Sequence, residues 1–450
     1  MPGLTIHRGA NQIGGCCTEI AAGGSRILID LGASLPDTDP VIEDEELVAC
    51  AFAGRPPAAV LFTHSHGDHL GLHAHIPADV PAYMGALARE LALWLAEWLD
   101  SHSREKRSGE ERTPLLKRMR VFSPGRWLRL APELEVLPIP VDHSALDAYM
   151  FFIRAGDKKL LFTGDFREHG IQGEGGRLWA ALREQVVPHG VDVLVTEGTM
   201  LGRVREAAQN PVRTEADLGR AAGELFAAHR YSFVLVSSAN MDSIMQFYHN
   251  TPGKRRFVCD AYQAGMMLTA MKGMEDREPR WYRRPPGHES IFIWGGASEG
   301  LLKSLNELGA SLADPVRVEA VKAWDMGRYG FVMLIRKNVT RPQKTALDWF
   351  FPEDGSKDSQ LIYSLWTGYL EGGPHPDRNM LAALGSRPLH PLHASGHAPV
   401  ETLARLMETV NPGIVIPMHT EYARKFRELP EFAPWRDRVR LVEDGETLAF

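Results

Sequence analysis

Three histidines and one aspartate lie within six consecutive residues, in the segment His64-Ser65-His66-Gly67-Asp68-His69. Because the chain has 18 histidines and 57 acidic residues among 450, chance places such a group at fixed spacing on the order of 10⁻³ to 10⁻² times in this sequence. Neutral imidazole nitrogens and carboxylate oxygens are ligands that Zn²⁺ takes in proteins. The spacing therefore favours a metal site over the alternative, a histidine cluster on a solvated surface.

The elements before these residues must hold them in place. The apolar run 58–62 comes directly before the cluster and predicts a short buried strand, whose end is a rigid rim for presenting side chains. Five more acidic residues or histidines recur at the ends of other apolar runs: His143, Asp165, Glu197, His397 and His419. Such groups are costly to bury unless they are paired or bound to a metal, so we expect them to share one site.

The rest of the chain reads as alternating strands and helices. Strands are predicted at residues 4–7, 26–30, 160–163, 193–196, 233–236 and 414–418, and helices at 85–99, 214–229, 241–249 and 399–410. The charged stretch 103–120 is expected to be an exposed loop or insertion, and residues 440–445 a closing pair of strands. The residue pattern of the sequence changes between about 200 and 370, which indicates a separate domain.

The amino-acid composition limits the classes of protein to which this chain can belong. Hydrophobic residues are 44% and charged residues 24% of the chain, which is ordinary for a soluble globular protein of two or three domains. We expect no membrane span, no signal peptide and, with four cysteines, no disulfide framework, which together predict a cytoplasmic location. The net charge of −7 argues against a nonspecific nucleic-acid coat, although a local basic groove stays open.

The order His64-x-His66-x-Asp68-His69, then His143, then Asp165 resembles the metallo-β-lactamase fold. That resemblance implies an α/β chain built as a four-layer αββα sandwich with one or two zinc ions at the strand ends. The later Glu197, His397 and His419 resemble motifs A, B and C of the β-CASP nucleases. The strings Ser395-Gly396-His397-Ala398 and Pro417-Met418-His419-Thr420-Glu421-Tyr422 are similar to ribonuclease J and the mRNA 3′-end endonucleases.

The resemblance also implies a domain order. Residues 1–200 would be the first part of the metallo-β-lactamase domain, and residues 371–450 its closing part. Residues 201–370 would be an inserted β-CASP α/β domain that closes over the metal site. Bacterial ribonuclease J usually carries a further C-terminal domain that helps it to dimerise, whereas about thirty residues follow His419 here. That mode of assembly is therefore not assumed, and an oligomer stays open.

Roles follow from the resemblance residue by residue. One zinc ion would be held by His64, His66 and His143, the second by Asp68, His69 and His419, and Asp165 would bridge the two. Manganese could serve in place of zinc, since geometry rather than residue type would decide. The implied reaction is hydrolysis of RNA phosphodiester bonds by a hydroxide on the two zinc ions. Asp68, Glu197 and His397 would be the catalytic residues, with His397 as general acid and Glu197 orienting it.

A phosphate-binding stretch is also implied. Ser237, Ser238 and Asn240 resemble one in ribonuclease J, and Ser395 with Gly396 would add hydroxyl and backbone donors. Ala239, however, stands where that family usually has a serine. The alternative is a helix start capped by Asn240.

The substrate expected from the resemblance is single-stranded RNA, because the motif C position of β-CASP DNA nucleases tends to be apolar whereas His419 is a histidine. The alternatives are a β-CASP DNA nuclease, a small-molecule metallo-hydrolase, and a scaffold that binds RNA without cleaving it. The basic and aromatic run Arg280-Trp281-Tyr282-Arg283-Arg284 could stack a base and hold phosphates, or could be ordinary solvated surface.

Overall fold

The computed structural model of the protein describes residues 1–35, 40–102, 112–277 and 280–450. It divides into two compact units, which we call unit 1 (Met1–Asn210 with Gly396–Phe450) and unit 2 (Pro211–Ser395). Each unit has its own sheets and helices.

The first part of unit 1 is rich in short strands. Its strands are β1 Gly3–Arg8, β2 Cys17–Ala22, β3 Ser25–Ile29, β4 Val60–Leu61, β5 Ala82–Met84, β6 Arg120–Val121, β7 Leu128–Ala131, β8 Leu134–Val141, β9 Ala148–Ala155, β10 Lys158–Phe162 and β11 Val193–Glu197. Its helices are α1 Asp44–Ala51, α2 Gly67–Leu70, α3 Ala86–His102, α4 Arg112–Arg118, α5 Arg177–Gln185 and α6 Val204–Gln209.

Unit 2 alternates strands with helices. Its strands are β12 Tyr231–Val236, β13 Arg256–Cys259, β14 Ser290–Ile293, β15 Arg317–Ala320, β16 Phe331–Ile335, β17 Ser359–Ser364 and β18 Leu389–Pro391. Its helices are α7 Glu215–Ala228, α8 Met241–His249, α9 Ala261–Gly273, α10 Glu299–Ala310, α11 Ala323–Tyr329, α12 Arg341–Phe350 and α13 Arg378–Leu384. The strands form one parallel sheet in the order β15-β14-β13-β16-β12-β17-β18.

The chain then returns to unit 1 with α14 Val400–Val410, β19 Ile414–Met418, α15 Lys425–Glu428 and β20 Thr447–Ala449. These last strands complete two sheets, which have the orders β20-β1-β2-β3-β4-β5-β6 and β19-β11-β10-β9-β8-β7. β19 lies parallel to β11, and β20 lies antiparallel to β1. The two ends of the chain are therefore parts of one folded unit.

Alternating side chains explain how the two sheets pack. Successive residues of a strand point to opposite faces. Ile29 and Phe151 contribute to a buried cluster that contains residues from both sheets, whereas their neighbours Leu28 and Phe152 belong to separate clusters with helices. Helices α1 and α3 contribute to the outer cluster of the first sheet, and α5 and α14 to that of the second. The predicted αββα sandwich with an additional α/β domain is confirmed.

Several local expectations need correction. Residues 103–111 of the charged stretch lie outside the described residues, but residues 112–118 form helix α4 rather than an exposed loop, because Leu115 and Leu116 are buried in the core beside α3. Residues 440–445 form no strand pair. Asp444 instead accepts a hydrogen bond from the backbone of Ala10, and the closing strand is β20 alone.

The limits of the compact units differ from the predicted domain limits. Unit 2 ends at residue 395 rather than near 370, because β18 pairs in parallel with β17 and so continues the sheet of unit 2. Among the described residues, no helix combines the length and the hydrophobicity that a membrane-spanning segment requires.

Candidate metal centre

The candidate ligands follow the ends of strands in unit 1. His64 comes three residues after β4, Asp165 comes three residues after β10, and His419 directly follows β19. Because β10, β11 and β19 are parallel neighbours, their carboxyl ends meet at one edge of the sheet. This edge positions the site.

Three histidines form the first group. The ligand atoms of His64, His66 and His143 all lie within 4.8 Å of one another, and Nε2 of His143 is 3.2 Å from Nδ1 of His66. Nδ1 of His143 lies 2.6 Å from the carbonyl oxygen of Gly396 and must donate to it. Nε2 of His143 therefore keeps its lone pair for a metal.

His64 is oriented in the same way through Thr63. The Thr63 hydroxyl donates to Asp30 at 2.9 Å, so it can only accept from Nδ1 of His64, which is 3.0 Å away. Nε2 of His64 is left without a proton and faces Oδ2 of Asp165 at 3.9 Å. Thr63 and Asp30 thus select the tautomer of His64 whose Nε2 can bind a metal.

His69 and His419 stand on the other side of Asp165. Oδ2 of Asp165 lies 3.3 Å from Nε2 of His69 and 3.9 Å from Nε2 of His143, while its Oδ1 lies 3.7 Å from Nδ1 of His419. Asp68 places Oδ2 at 3.3 Å from Nε2 of His419. Asp165 is therefore located between the two groups, as a bridging carboxylate would be.

The buried polar atoms of this cluster fit a cation. Among the described residues, Nε2 of His64, Nε2 of His69 and Oδ1 of Asp165 are buried and have no hydrogen-bond partner. Leaving a buried polar group unsatisfied costs about 1–3 kcal/mol each, and coordination to a divalent metal ion would remove that cost. The donor set of imidazoles and carboxylates fits such an ion.

The pKa values of the histidines also suit metal binding. Burial lowers the pKa of His66 to about 4, and burial together with neighbouring imidazoles lowers the pKa values of His64 and His143. These rings are neutral at neutral pH, as ligands must be. Burial alone would lower the pKa of His69, but the carboxylates of Asp165 and Asp30 outweigh it and raise that pKa. Positive charge is thus favoured at this position.

Glu197 and His397 form a pair beside the cluster. Oε2 of Glu197 lies 3.0 Å from Nδ1 of His397, and Oε1 accepts the backbone N–H of Phe166 at 2.9 Å. The side chain of Glu197 is 1% exposed and that of His397 is 22% exposed, so the imidazole reaches solvent while its partner does not. Burial alone would lower the pKa of His397, but the Glu197 and Asp165 carboxylates raise it overall. The arrangement can hold a proton close to the metal cluster.

The residues predicted to contact phosphate lie in different segments of the chain. Ser237 and Ser238 follow β12 in unit 2, where Ser237 accepts the backbone N–H of Ala239 at 3.3 Å. Asn240 caps α8 by accepting from the backbone of Ser243, which is the alternative interpretation of that position. Gly396 supports the ligand His143 through its carbonyl group. Ser395 is the last residue of unit 2, and phosphate binding at these residues stays a prediction.

The basic and aromatic run near residue 280 is partly built into the fold. The ring of Trp281 stacks on His249 with centroids 4.2 Å apart. Tyr282 is buried and its hydroxyl donates to Asp242, so it is unavailable for stacking on a base. The side chain of Arg280 lies outside the described residues.

Four residues of the site were not predicted from the sequence. Asp30 and Thr63 orient histidine rings, Thr199 Oγ1 lies 2.8 Å from Nδ1 of His419, and Cys16 has its sulfur beside the cluster. Asp30 gives one signal: it ends the apolar run of β3 as an acidic residue. The others depend on contacts between distant segments.

Comparison with known proteins agrees with this architecture. Residues 13–216 match the family model described as the metallo-beta-lactamase superfamily. The chain is also similar to a solved protein of unknown function from Enterococcus faecalis V583, with a TM-score of 0.69 and 19% sequence identity over 99% of each chain. At this identity the likeness shows the fold alone.

Proposed function

We propose that this chain, in which residues 13–216 form a metallo-beta-lactamase superfamily domain, is a metal-dependent ribonuclease that hydrolyses phosphodiester bonds in single-stranded RNA. The domain and the cluster of histidines and aspartates indicate a metal-dependent hydrolase. The RNA substrate, the two zinc ions and the β-CASP assignment of unit 2 are the further parts of the proposal. The observation that carries it is the pair of Glu197 and His397 beside the metal ligands.

The residues fit two divalent ions. His64, His66 and His143 would hold one ion, Asp68, His69 and His419 the other, and Asp165 would contact both. Bound there, two such ions would supply Lewis acidity towards a phosphodiester and lower the pKa of a water ligand to about 7. No side chain of the protein then has to act as the nucleophile.

His397 has the geometry of a general acid. Glu197 accepts from Nδ1 of His397, so Nε2 is the atom that can give a proton to the leaving oxygen of the substrate. The second oxygen of Glu197 is held by the backbone of Phe166, which fixes the carboxylate and through it the ring. Positioned proton transfer of this kind contributes about 10²–10⁴-fold to rate.

Two features support RNA as the substrate class. His419 is a histidine at the position that resembles motif C of the RNA-processing nucleases. Unit 2 is a separate α/β unit that interrupts unit 1 in the sequence, as an inserted β-CASP domain would. The net charge of −7 is compatible with a local binding groove rather than a generally basic surface.

The test compares single-stranded RNA and DNA of matched sequence, each with 5′-phosphate, 5′-triphosphate or 5′-hydroxyl ends, after loading with Zn²⁺ or Mn²⁺. We expect RNA to be cleaved faster and a chelator to abolish cleavage reversibly. Faster cleavage of DNA would favour a DNA nuclease. Binding of RNA without cleavage would favour a scaffold, and turnover restricted to small esters would favour a small-molecule hydrolase.

A further inference from the structure

A cysteine lies beside the second group of candidate ligands. The sulfur of Cys16 and one ligand atom each of His69 and His419 all lie within 4.8 Å of one another. Cys16 is completely buried and directly precedes β2. Zinc sites in proteins commonly combine cysteine thiolates with histidine imidazoles.

The backbone ties Cys16 to the segments that carry the candidate ligands. Its N–H donates to the carbonyl of Asp68 at 2.9 Å, and its carbonyl accepts the N–H of Gly32 at 2.9 Å. The carbonyl of Gly9 accepts the N–H of His419 at 2.7 Å, and a Cβ added at Gly9 would lie 3.3 Å from the Cys16 sulfur. Glycine at this position therefore leaves room for the thiol next to His419.

A second observation points to a ligand at the same place. Nε2 of His69 is buried and, among the described residues, has no hydrogen-bond partner. Nδ1 of His69 already contacts Asp30 at 2.8 Å, so Nε2 is the atom left to coordinate. A buried nitrogen without a hydrogen bond and a buried sulfur thus lie within 4.8 Å of each other, beside the Asp165 carboxylate.

We infer that Cys16 supplies a thiolate ligand to the metal ion held by His69 and His419. On binding, the S–H bond breaks, a metal–sulfur bond forms and the proton passes to solvent. The inference rests on the metal-binding part of the proposed function and is independent of the substrate. It makes the two metal positions chemically different, since the first group offers only histidine nitrogens besides Asp165.

Sulfur at one position has a consequence for metal choice. Thiolate and imidazole suit zinc, whereas manganese prefers carboxylate, carbonyl and water oxygens. Removing the sulfur should therefore weaken zinc binding at the second position more than manganese binding.

The chain offers a matched control in the next residue. Cys17 is also completely buried, but it belongs to the cluster with residues of α1 and α3, whereas Cys16 belongs to the cluster that contains residues of both sheets. Replacing Cys17 by serine removes a buried thiol from the same segment without touching the candidate ligands.

The experiment loads wild type, Cys16→Ser and Cys17→Ser with Co²⁺ and records absorption with metal stoichiometry. We expect a sulfur-to-cobalt charge-transfer band in the near ultraviolet for wild type and Cys17→Ser, and none for Cys16→Ser. Competition titrations should show at least about a tenfold loss of Zn²⁺ affinity at one position in Cys16→Ser, with a smaller loss for Mn²⁺.

Two bound Co²⁺ ions without a sulfur band in wild type, or an unchanged band in Cys16→Ser, would overturn the inference and leave the proposed function standing. Failure of wild type to bind any metal would overturn both. If Cys16→Ser does not fold, the variant with Cys17, Cys50 and Cys259 all replaced by serine keeps Cys16 as its one cysteine. The band must then persist in that variant, and its loss there counts against Cys16.

Discussion

The hydroxyl of Thr199 contacts His419 twice. It lies 2.8 Å from Nδ1 of the ring and donates to the backbone carbonyl of the same residue at 3.2 Å. A hydroxyl has one proton, so Thr199 must accept from Nδ1–H, which leaves Nε2 of His419 as the lone-pair nitrogen towards Asp68. Thr199 therefore fixes both the orientation and the tautomer of His419, a candidate ligand.

Thr199→Val should lower the affinity for the second metal ion by about 10–100-fold, as expected when a partner that orients a ligand is lost. Thr199→Ser should retain most of the affinity, because it keeps the hydroxyl. Metal competition titrations measure both values. Thr402→Val is the control, since Thr402 is a buried threonine of α14 whose hydroxyl contacts Glu168 instead. Equal affinities of Thr199→Val and wild type would refute this role.

Asp30→Asn should also impair metal binding. Asp30 accepts from Nδ1 of His69 at 2.8 Å and from the backbone of Thr63 at 2.8 Å. An amide NH₂ facing Nδ1 would favour the wrong ring form of His69, with the proton on Nε2. We expect about a 10–100-fold loss of affinity by competition titration.

The control for Asp30→Asn is Asp147→Asn. Both aspartates are buried and have a positive φ, 62° for Asp30 and 66° for Asp147, which asparagine tolerates. Asp147 accepts from backbone N–H groups of α3 and from the hydroxyl of Tyr149. A similar loss of metal affinity in the two variants would mean that the effect is general destabilisation.

Gly32→Ala should displace helix α2, which carries Asp68 and His69. A Cβ at Gly32 would overlap the backbone carbonyl of Asp68, whose oxygen accepts a hydrogen bond from the N–H of Cys16, so a shift of this carbonyl would disturb that bond. We expect a loss of stability of about 1–3 kcal/mol together with loss of bound metal. A Cβ at Gly67, the first residue of α2, meets no atom within 4 Å, so Gly67→Ala should retain both the stability and the bound metal. Denaturant unfolding and elemental analysis separate the two variants.

Sequence patterns could predict the candidate ligands that the structure brings together, but not the residues that support them. His64, Asp165 and His419 can be identified from the sequence because an apolar run precedes each of them. Histidine and aspartate, which carry imidazole and carboxylate groups, are also distinctive residue types. Thr199 and His419 are 220 residues apart, and only the parallel pairing of β11 with β19 brings them into contact. A threonine has no distinctive local signature, so its contact cannot be inferred from spacing.

The limits of the two compact units also could not be predicted from local sequence. The membership of residues 371–395 in unit 2 depends on the pairing of β18 with β17. Likewise, α4 forms within a charged stretch because two adjacent leucines find a buried surface. Contacts between distant segments therefore decide the end of unit 2 and the formation of α4. Local periodicity is sufficient for α3, α7, α8 and α14, whose predicted limits nearly equal the observed ones.

Stability should fall in mildly acidic solution, in part through unit 2. Burial lowers the pKa values of His249 and His288 below that of a free histidine, about 6.5. The unfolded chain then binds protons that the folded chain excludes, so the free energy of unfolding decreases as the pH falls from about 6.5 towards the folded pKa values. Thermal unfolding of the metal-free protein from pH 7.5 to pH 5.5, a range chosen to span about 6.5, measures this.

His249→Gln should reduce that pH dependence. Nε2 of His249 lies 2.8 Å from the carbonyl of Trp281, a contact that a glutamine amide can also make without titrating. An identical slope for His249→Gln and wild type would show that the buried ring does not contribute.

His397→Ala should separate catalysis from metal binding. His397 contacts Glu197 and lies 3.7 Å from Oδ2 of Asp165, but its role as general acid does not require it to hold an ion. We expect an unchanged metal content and a decrease of about 10²–10⁴-fold in RNA cleavage. Because Glu197 acts through His397, adding Glu197→Gln to His397→Ala should cause little further loss. Undiminished turnover of His397→Ala, or a second full loss in the double variant, would remove the pair from the mechanism.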